Sequence, residues 1–572
     1  MTRSDEEIVE ETIKGFTQLR QRRVNHDRMN EEIASLIWPE VRGLFYYPAM
    51  RWPGMKLAQF QVDSTGMIAL WRFMAICHSF LSPQGAFHTL RVSDPSLARN
   101  RRVKEYLDTI ERIVMPYRLQ PVANFVGQLL NNYRNLGAFG SQTMFVDGLV
   151  GPRGEPLPGW RYRSCPKREI YLAENHQGMI DEVYRWFRLT ARQAAQKWGE
   201  ENIPDQLRSA LDGKSENLFD FIHRVCPRQD YEPHRRDARG MPFASYYVSI
   251  DGKKLMSQGG YHTMPYAVGR WTVAPDEVEG RGPASFVLPT LKTANNQKAA
   301  LLEAAHMALR PPLLTGDDGL VDTFDRTPNA VNKGGVSPDG KPMVVPLATG
   351  QVPVGVETMQ MDQGIINDGF LVSLFQLLYD TAKMSPTEVV ERVRQIAIFL
   401  VPALEPQNDQ YLGPLVEREI SLAATQGLLP PLPPELREAR DHYHITFTSP
   451  LALMAQSPQM AGILRTLESA QQMINVTQDP SILYPLNLSN AVRLMAQINA
   501  VPSAVLATPQ EEAQKARAAA QNAERVQQMR EMPARAAMAK AQAVVQKAQA
   551  GVGTPGLLSG TPAGGMPVGG GG

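Results

Sequence analysis

Cysteine is scarce in this chain. Cys77, Cys165 and Cys226 are far apart, odd in number and without a C-x-x-C spacing. That excludes a disulfide scaffold and a zinc ribbon, and it points to a reducing compartment. An excess of charge of one sign is also missing: 59 Lys and Arg stand against 58 Asp and Glu, a net charge of +1. The chain is therefore not a basic coat for nucleic acid, and any contact with phosphate has to come from local geometry. No apolar run reaches the roughly 18 residues that a membrane-spanning helix needs, so no membrane partner is expected. The opening MTRSDEEIVEETIKG is acidic and polar, unlike a signal peptide.

What is present is ordinary globular composition and much helix. At 43% hydrophobic and 20% charged residues over 572 positions, the chain can bury a core and fill several domains. A Ser or Thr followed three residues later by Glu or Gln satisfies two orphan backbone donors at a helix start. Four such pairs stand where helices would start: Ser4 with Glu7, Thr190 with Gln193, Ser385 with Glu388, and Thr508 with Glu511. The first predicts a helix running to about Pro39. The last predicts an Ala-rich helix over 509–532 that breaks at Pro533 and resumes to about Ala550. Asp63 is expected to cap a buried helix through STGMIALWRFMAICHSFL. Residues 149–281 read as short strands, with a hairpin around Asp251-Gly252. A long helix between Gly280 and Arg310, a strand-and-turn insert over 311–356 and a helix from about Glu357 to Ala382 together read as a stalk with a small β head. Beyond Gly551 the chain is Gly- and Pro-rich and has nothing to bury.

The chemical motifs dissolve on inspection. GVSPDGK, Gly335 to Lys341, has P-loop spacing, but Pro342 stands where Ser or Thr would hold magnesium, so it reads as a β-turn. His442 and His444 share one face of a strand, with no further ligands at metal spacing. Asp317, Asp318, Asp322 and Asp325 sit among turn residues and read as solvated loop acids. Ser79 and Ser82 have no nucleophile elbow, and Cys77 lies on an apolar helix face. No catalytic, metal or cofactor residues are assigned.

One block stands out: GRGPASFVLPTLKTANNQKAALLEAAHMALRPPLL, Gly280 to Leu314. It resembles the head-to-tail connecting (portal) proteins of short-tailed phages in its GRGP, LP, K, N, LLEAA and PPLL positions. Five further stretches resemble the same family in the same order: DSTGMIALWRFMAICHSFLSPQGAFHTLRVSD (63–94), NNYRNLGAFGSQTMFVD (131–147), VYRWFRLTARQAAQKWG (183–199), KMSPTEVVERVRQ (383–395) and ITFTSPLALMAQ (445–456). Together they cover most of residues 60–460. The family's usual Thr-Ala before Glu is Ser385-Pro386-Thr387 here, and WPGMKLAQFQV has no counterpart.

The resemblance implies an α+β, mainly helical portal fold that assembles into a dodecameric ring with an axial channel. It implies a wing over 1–282, a stem helix over 283–310, a clip over 311–356, a second stem helix over 357–382, and a tunnel loop with a long wing helix over 383–448. A helical crown over 449–550 and a flexible tail over 551–572 complete the subunit. Pro283, Pro289, Lys292, Asn295, Pro311 and Pro312 would shape the stem and clip. Lys383, Met384 and Ser385 would face double-stranded DNA in the channel, although Lys383 equally suits a helix C-terminus as a plain counter-charge. Expected partners are identical subunits, terminase, the major capsid and scaffolding proteins, and tail adaptors, in a virion vertex assembled in the host cytoplasm. The rival expectations are another ring-shaped tail or core component, or a packaging enzyme.

Overall fold

A computed structural model of the chain describes residues 4–43, 45, 61–83, 87–92, 94, 97, 100–151, 154–213, 216–315, 325, 330–331, 336–347, 353–379, 395–396, 398–439, 443–478, 485–498, 507 and 509–549. It forms two compact units, Met1–Asn499 and Ala500–Gly572. It is mixed α and β with helix predominating, as the sequence suggests.

The first unit opens with α1 (Asp5–Arg22) and α2 (Val24–Ile37). The Ser4–Glu7 capping box is formed in full. The single helix expected to Pro39 is instead two, jointed at Arg23. The cause is tertiary: the buried Arg23 guanidinium donates to the carbonyls of Lys167, Arg168 and Ile170 and lies 3.6 Å from the Tyr171 ring centroid. It fixes the joint against a distant segment.

The main core is built on α3 (Thr65–Leu81), α4 (Arg101–Leu119) and α5 (Phe125–Phe139). Gly137 of α5 lets α3 come close: a Cβ there would lie 2.7 Å from Phe73 and 2.8 Å from Leu70. The residue that caps α3 is Ser64, not Asp63, and it makes no side-chain cap bond. The Asp63 carboxylate is drawn instead to Thr65 Oγ1, at 3.1 Å, and to a second helix described below.

Two antiparallel sheets lie beside this core. The smaller has the order β3 (Pro156–Ser164), β2 (Ser141–Val150), β9 (Tyr266–Arg270). The larger is a five-stranded meander of β4 (Ile170–Glu174), β5 (Ile180–Thr190), β6 (Leu218–Pro227), β7 (Phe243–Ser249) and β8 (Lys254–Tyr261). The expected hairpin at Asp251-Gly252 joins β7 to β8, with Lys253 at positive φ. α1 covers one face, where Phe16 meets Tyr171 edge-on at 4.9 Å. On the other, α6 (Ala191–Trp198), opened by the Thr190–Gln193 box, and α7 (Asp205–Asp212) bury Phe187 and Phe221.

Two buried charge pairs tie distant parts of this unit together. Arg118 on α4 binds Glu419 on the Gly413–Thr425 helix, and Tyr162 donates to the same carboxylate. Lys167 binds Glu279. Burial lowers the Lys167 ammonium. It would raise the Glu279 carboxyl, but Lys167 and Arg23 outweigh it and hold Glu279 below the usual range. His223 is a satisfied core histidine. Its ring nitrogens reach Tyr266 Oη at 2.6 Å and Ser245 Oγ at 3.0 Å, and burial lowers its pKa well below the usual value.

A two-stranded ribbon pairs β1 (His88–Val92) with β14 (Tyr443–Phe447), which leads into the Pro450–Thr477 helix. Among the described residues of the second unit there is one helix, Pro509–Gln549. It runs through Pro533 rather than breaking there. A proline in a helix interior removes one hydrogen bond and kinks the helix, and the Ala-, Arg- and Gln-rich sequence on either side continues it.

Candidate functional site

The block from Gly280 to Leu314 begins where two glycines pass a third. α5 ends at Gly140, which adopts φ 73°, a conformation suited to glycine, and its N–H closes the helix on the Leu136 carbonyl at 2.9 Å. The 280–282 backbone lies directly against that turn. A Cβ on Gly280 would sit 2.0 Å from the Gly140 carbonyl oxygen. The G-R-G spacing is therefore a steric requirement.

Pro283 then opens α8 (Pro283–Phe286), a buried turn, and Pro289 sits in the first turn of α9 (Leu288–Leu309), where a missing N–H costs nothing. At 1.5 Å per residue, the 22 residues of α9 span about 33 Å. The helix stops because Arg310 precedes Pro311, which disfavours helical backbone; Arg310 adopts φ −136°, ψ 68°. Pro312 follows and accepts a hydrogen bond from the Leu347 amide at 2.9 Å.

Beyond the proline pair, β12 (Leu313–Thr315) pairs with β13 (Val344–Pro346). Val336 bridges Pro342, and the Ser337 amide donates to the Lys341 carbonyl at 2.8 Å, with Gly340 at φ 78°. The P-loop look-alike is thus a turn as far as it is described. α10 (Pro353–Gly369) returns antiparallel to α9. A Cβ on Gly369 would lie 2.3 Å from Val287, and one on Gly355 would lie 2.8 Å from Leu301. The two contacts are in step: 301 − 287 and 369 − 355 both equal 14, so the helices stay paired over about 21 Å. The helix predicted from Glu357 to Ala382 is interrupted at Leu371, which has φ 61°, and continues as α11 (Val372–Tyr379).

Lys292 and Asn295 in the first half of α9 are engaged inside the chain. Lys292 Nζ meets Glu32 at 2.6 Å, both half exposed. Asn295 Oδ1 accepts the amides of Val62 at 2.9 Å and Asp63 at 3.2 Å. Gln363 of α10 donates to the Asp63 carboxylate at 3.3 Å. Asp63 therefore joins both arm helices to the start of α3. Sequence reading missed Gly355, Gly369 and Gln363; the glycines inside a helical pattern were the available signal.

The far half of the arm is different. Leu302, Met307 and Leu309 on α9, Leu314, Val345 and Leu347 on or beside the ribbon, and Val356 on α10 are all exposed, Leu309 by 81%, and nearer the root of α10 Met361 and Ile365 are exposed as well, Met361 by 71%. Large apolar side chains left exposed along the arm mark a contact surface rather than a finished exterior.

Lys383, Met384, Ser385 and the Ser385–Glu388 box lie outside the described residues, as do His442, Asp317, Asp318 and Asp322. Among the described residues no group of His, Cys, Asp and Glu is arranged to hold a metal, and no helix is long and apolar enough to cross a membrane.

A match to the bacteriophage head to tail connecting protein family runs over residues 9–506. The chain belongs to this family. The family is a structural, non-enzymatic one. The portal protein of Salmonella phage epsilon15 is 26% identical over 472 residues, covering 80% of this chain and 81% of that protein. The probable portal protein of Bordetella phage BPP-1 is 25% identical over 438 residues, covering 74% and 75%. The family match spans both glycine turns, the whole arm and the β1–β14 ribbon, so these features lie within the part of the chain that the family shares.

Proposed function

We propose that the chain is the portal subunit of a tailed phage: a dodecameric ring at one capsid vertex, through whose axial channel double-stranded DNA is packaged and ejected. The observation that carries this reading is the arm, a 22-residue helix and its antiparallel partner ending in a β ribbon, with its distal apolar side chains uncovered by its own chain. A neighbouring copy in a closed ring covers such a surface by a heterologous contact. Family membership and the two portal relatives support the same reading. The near-neutral net charge of +1 suits a conduit, because dense phosphate contacts would hold DNA in place.

In this reading residues 283–310 and 357–382 are the stem, 311–356 the clip, 1–282 and the helical part of 383–448 the wing, and 449–550 the crown. Lys383, Met384 and Ser385 form the loop nearest DNA. Terminase docks on the clip end and tail adaptors replace it, while capsid and scaffolding proteins surround the wing.

Mass photometry with electron-microscope class averages tests the reading. The expected species is a ring with a central hole at roughly twelve times the 63.5 kDa chain mass. Met361→Asp and Leu309→Asp should leave the chain folded and abolish the ring. A chain that stays monomeric with scaffold present, or that hydrolyses ATP, overturns it.

A further inference from the structure

Outer strands of the sheets are closed by side chains. The Glu111 carboxylate accepts the Leu90 amide on β1. Gln426 grips Gly159 on β3 at both ends, accepting its amide at 2.8 Å and donating to its carbonyl at 2.9 Å. Arg23 donates to the Ile170 carbonyl on β4. On β9, Gln407 donates to the Arg270 carbonyl at 2.7 Å and Gln410 accepts its amide. Each plug blocks an edge that would otherwise template another strand.

Among the described residues β14 carries no such plug, and neither does the short β12–β13 ribbon. In an antiparallel pair, opposed residues either exchange both main-chain bonds or neither. Leu90 opposes Ile445, and the Leu90 amide goes to Glu111, so this pair exchanges neither. The bond from the Thr448 amide to the Phe87 carbonyl, 2.9 Å, sets the same alternation. The main-chain groups of Ile445 and Phe447 therefore point away from β1. Among the described residues no side chain or backbone group meets them.

We propose that a neighbouring copy of this chain supplies an extended segment that completes the ribbon along β14. The proposal rests on the ring reading. The ribbon is anchored on one side, where Leu90 and Val92 lie in the main core and Ile445 and Phe447 pack against it, and this leaves the outer main-chain edge of β14 as its open side. The helix that follows β14, Pro450–Thr477, buries Leu451 in its first turn and exposes Met473 and Val476 near its far end, Val476 by 85%. In a cyclic assembly every copy turns this edge to the same neighbour, which carries every segment of the chain.

Residue-resolved hydrogen exchange of the 443–448 segment, in the unassembled chain and in the purified ring, tests this. The Ile445 and Phe447 amides should exchange fast in the free chain and at least about 100-fold more slowly in the ring. The Thr446 and Thr448 amides, bonded to β1 and Phe87, should be slow in both. Fast exchange of Ile445 and Phe447 in an intact ring overturns the proposal and leaves the ring reading standing. Slow exchange in the free chain overturns it because the chain then covers its own edge. Protection that appears only when another virion protein is added overturns the choice of partner. Failure of the chain to form a ring overturns the ring reading and this proposal with it.

Discussion

Gly140 and Gly282 meet backbone to backbone. A Cβ on Gly282 would lie 2.6 Å from the Gly140 nitrogen and 2.6 Å from the Leu136 carbonyl oxygen. The end of the central helix α5 and the root of the arm are thus seated on one another with no side chain between them. Gly282→Ala should cost about 3 kcal/mol, at the upper end for overpacking. Gly259→Ala, where an added Cβ meets nothing within 4 Å, is the control. Urea unfolding midpoints of the two variants check this; equal midpoints would show that the backbone relaxes freely.

Arg118 and Glu419 offer a second test. Removing one partner strands a charge with no access to water, and Arg118→Met should destabilise the first unit by about 3–5 kcal/mol. Arg118→Met combined with Glu419→Leu should recover most of the loss, because apolar packing can replace a buried pair. A double variant no more stable than the single one would contradict this account.

Glu111 makes stability depend on pH. Burial raises its carboxyl from 4.5 to about 7, partly offset by the Leu90 amide. Below about pH 4.5 the group is protonated in both folded and unfolded chains and costs nothing. Between pH 4.5 and 7 only the unfolded chain gives up the proton, so the contribution of this group to stability falls as pH rises, and the full cost stands above pH 7. Allowing for partial exposure, that cost is about 2 kcal/mol. Glu111→Gln should therefore be more stable than the parent at pH 8 and equal to it at pH 4.5. Thermal melts at the two pH values decide it; a variant weaker at pH 8 would reverse the sign.

The joint at Asp63 gives a prediction about the arm alone. Asn295→Ala leaves the Val62 and Asp63 amides without their acceptor and should cost about 1 kcal/mol. It should also speed hydrogen exchange over residues 61–68. Lys292→Met, which removes only an exposed ion pair, should change stability by well under 1 kcal/mol, less still at high salt. Equal effects would mean that Asn295 holds the joint no more firmly than a surface charge.

What the sequence made legible was local. The Ser4–Glu7 and Thr190–Gln193 boxes, the Asp251-Gly252 hairpin and the Ser337–Lys341 turn are settled by residues within a few positions of each other. So is the stop of α9 before Pro311. What stayed hidden was set from far away. Arg23 sits in an unbroken helical pattern and is taken from it by carbonyls 144 to 147 residues on. Asp63 looks like a helix cap, but α10 also draws its carboxylate, from 300 residues away. The G-R-G spacing was visible as a pattern, while its cause, the turn at Gly140, was not. The Lys383–Ser385 loop lies outside the described residues.

The pairing of β1 with β14 also sets a clock. From Val92 to Tyr443 the ribosome must add roughly 350 residues, which at about 5–20 residues per second takes some tens of seconds. Through that interval β1 has no partner strand, and Arg118 waits for a Glu419 that lies 301 residues downstream. The two events that close the core come late in translation, so a chain released short of residue 443 lacks the ribbon, and one released short of residue 419 lacks both. The fold thereby inspects its own completeness: a truncated chain cannot present the closed ribbon, and the proposed ring would be spared a defective member.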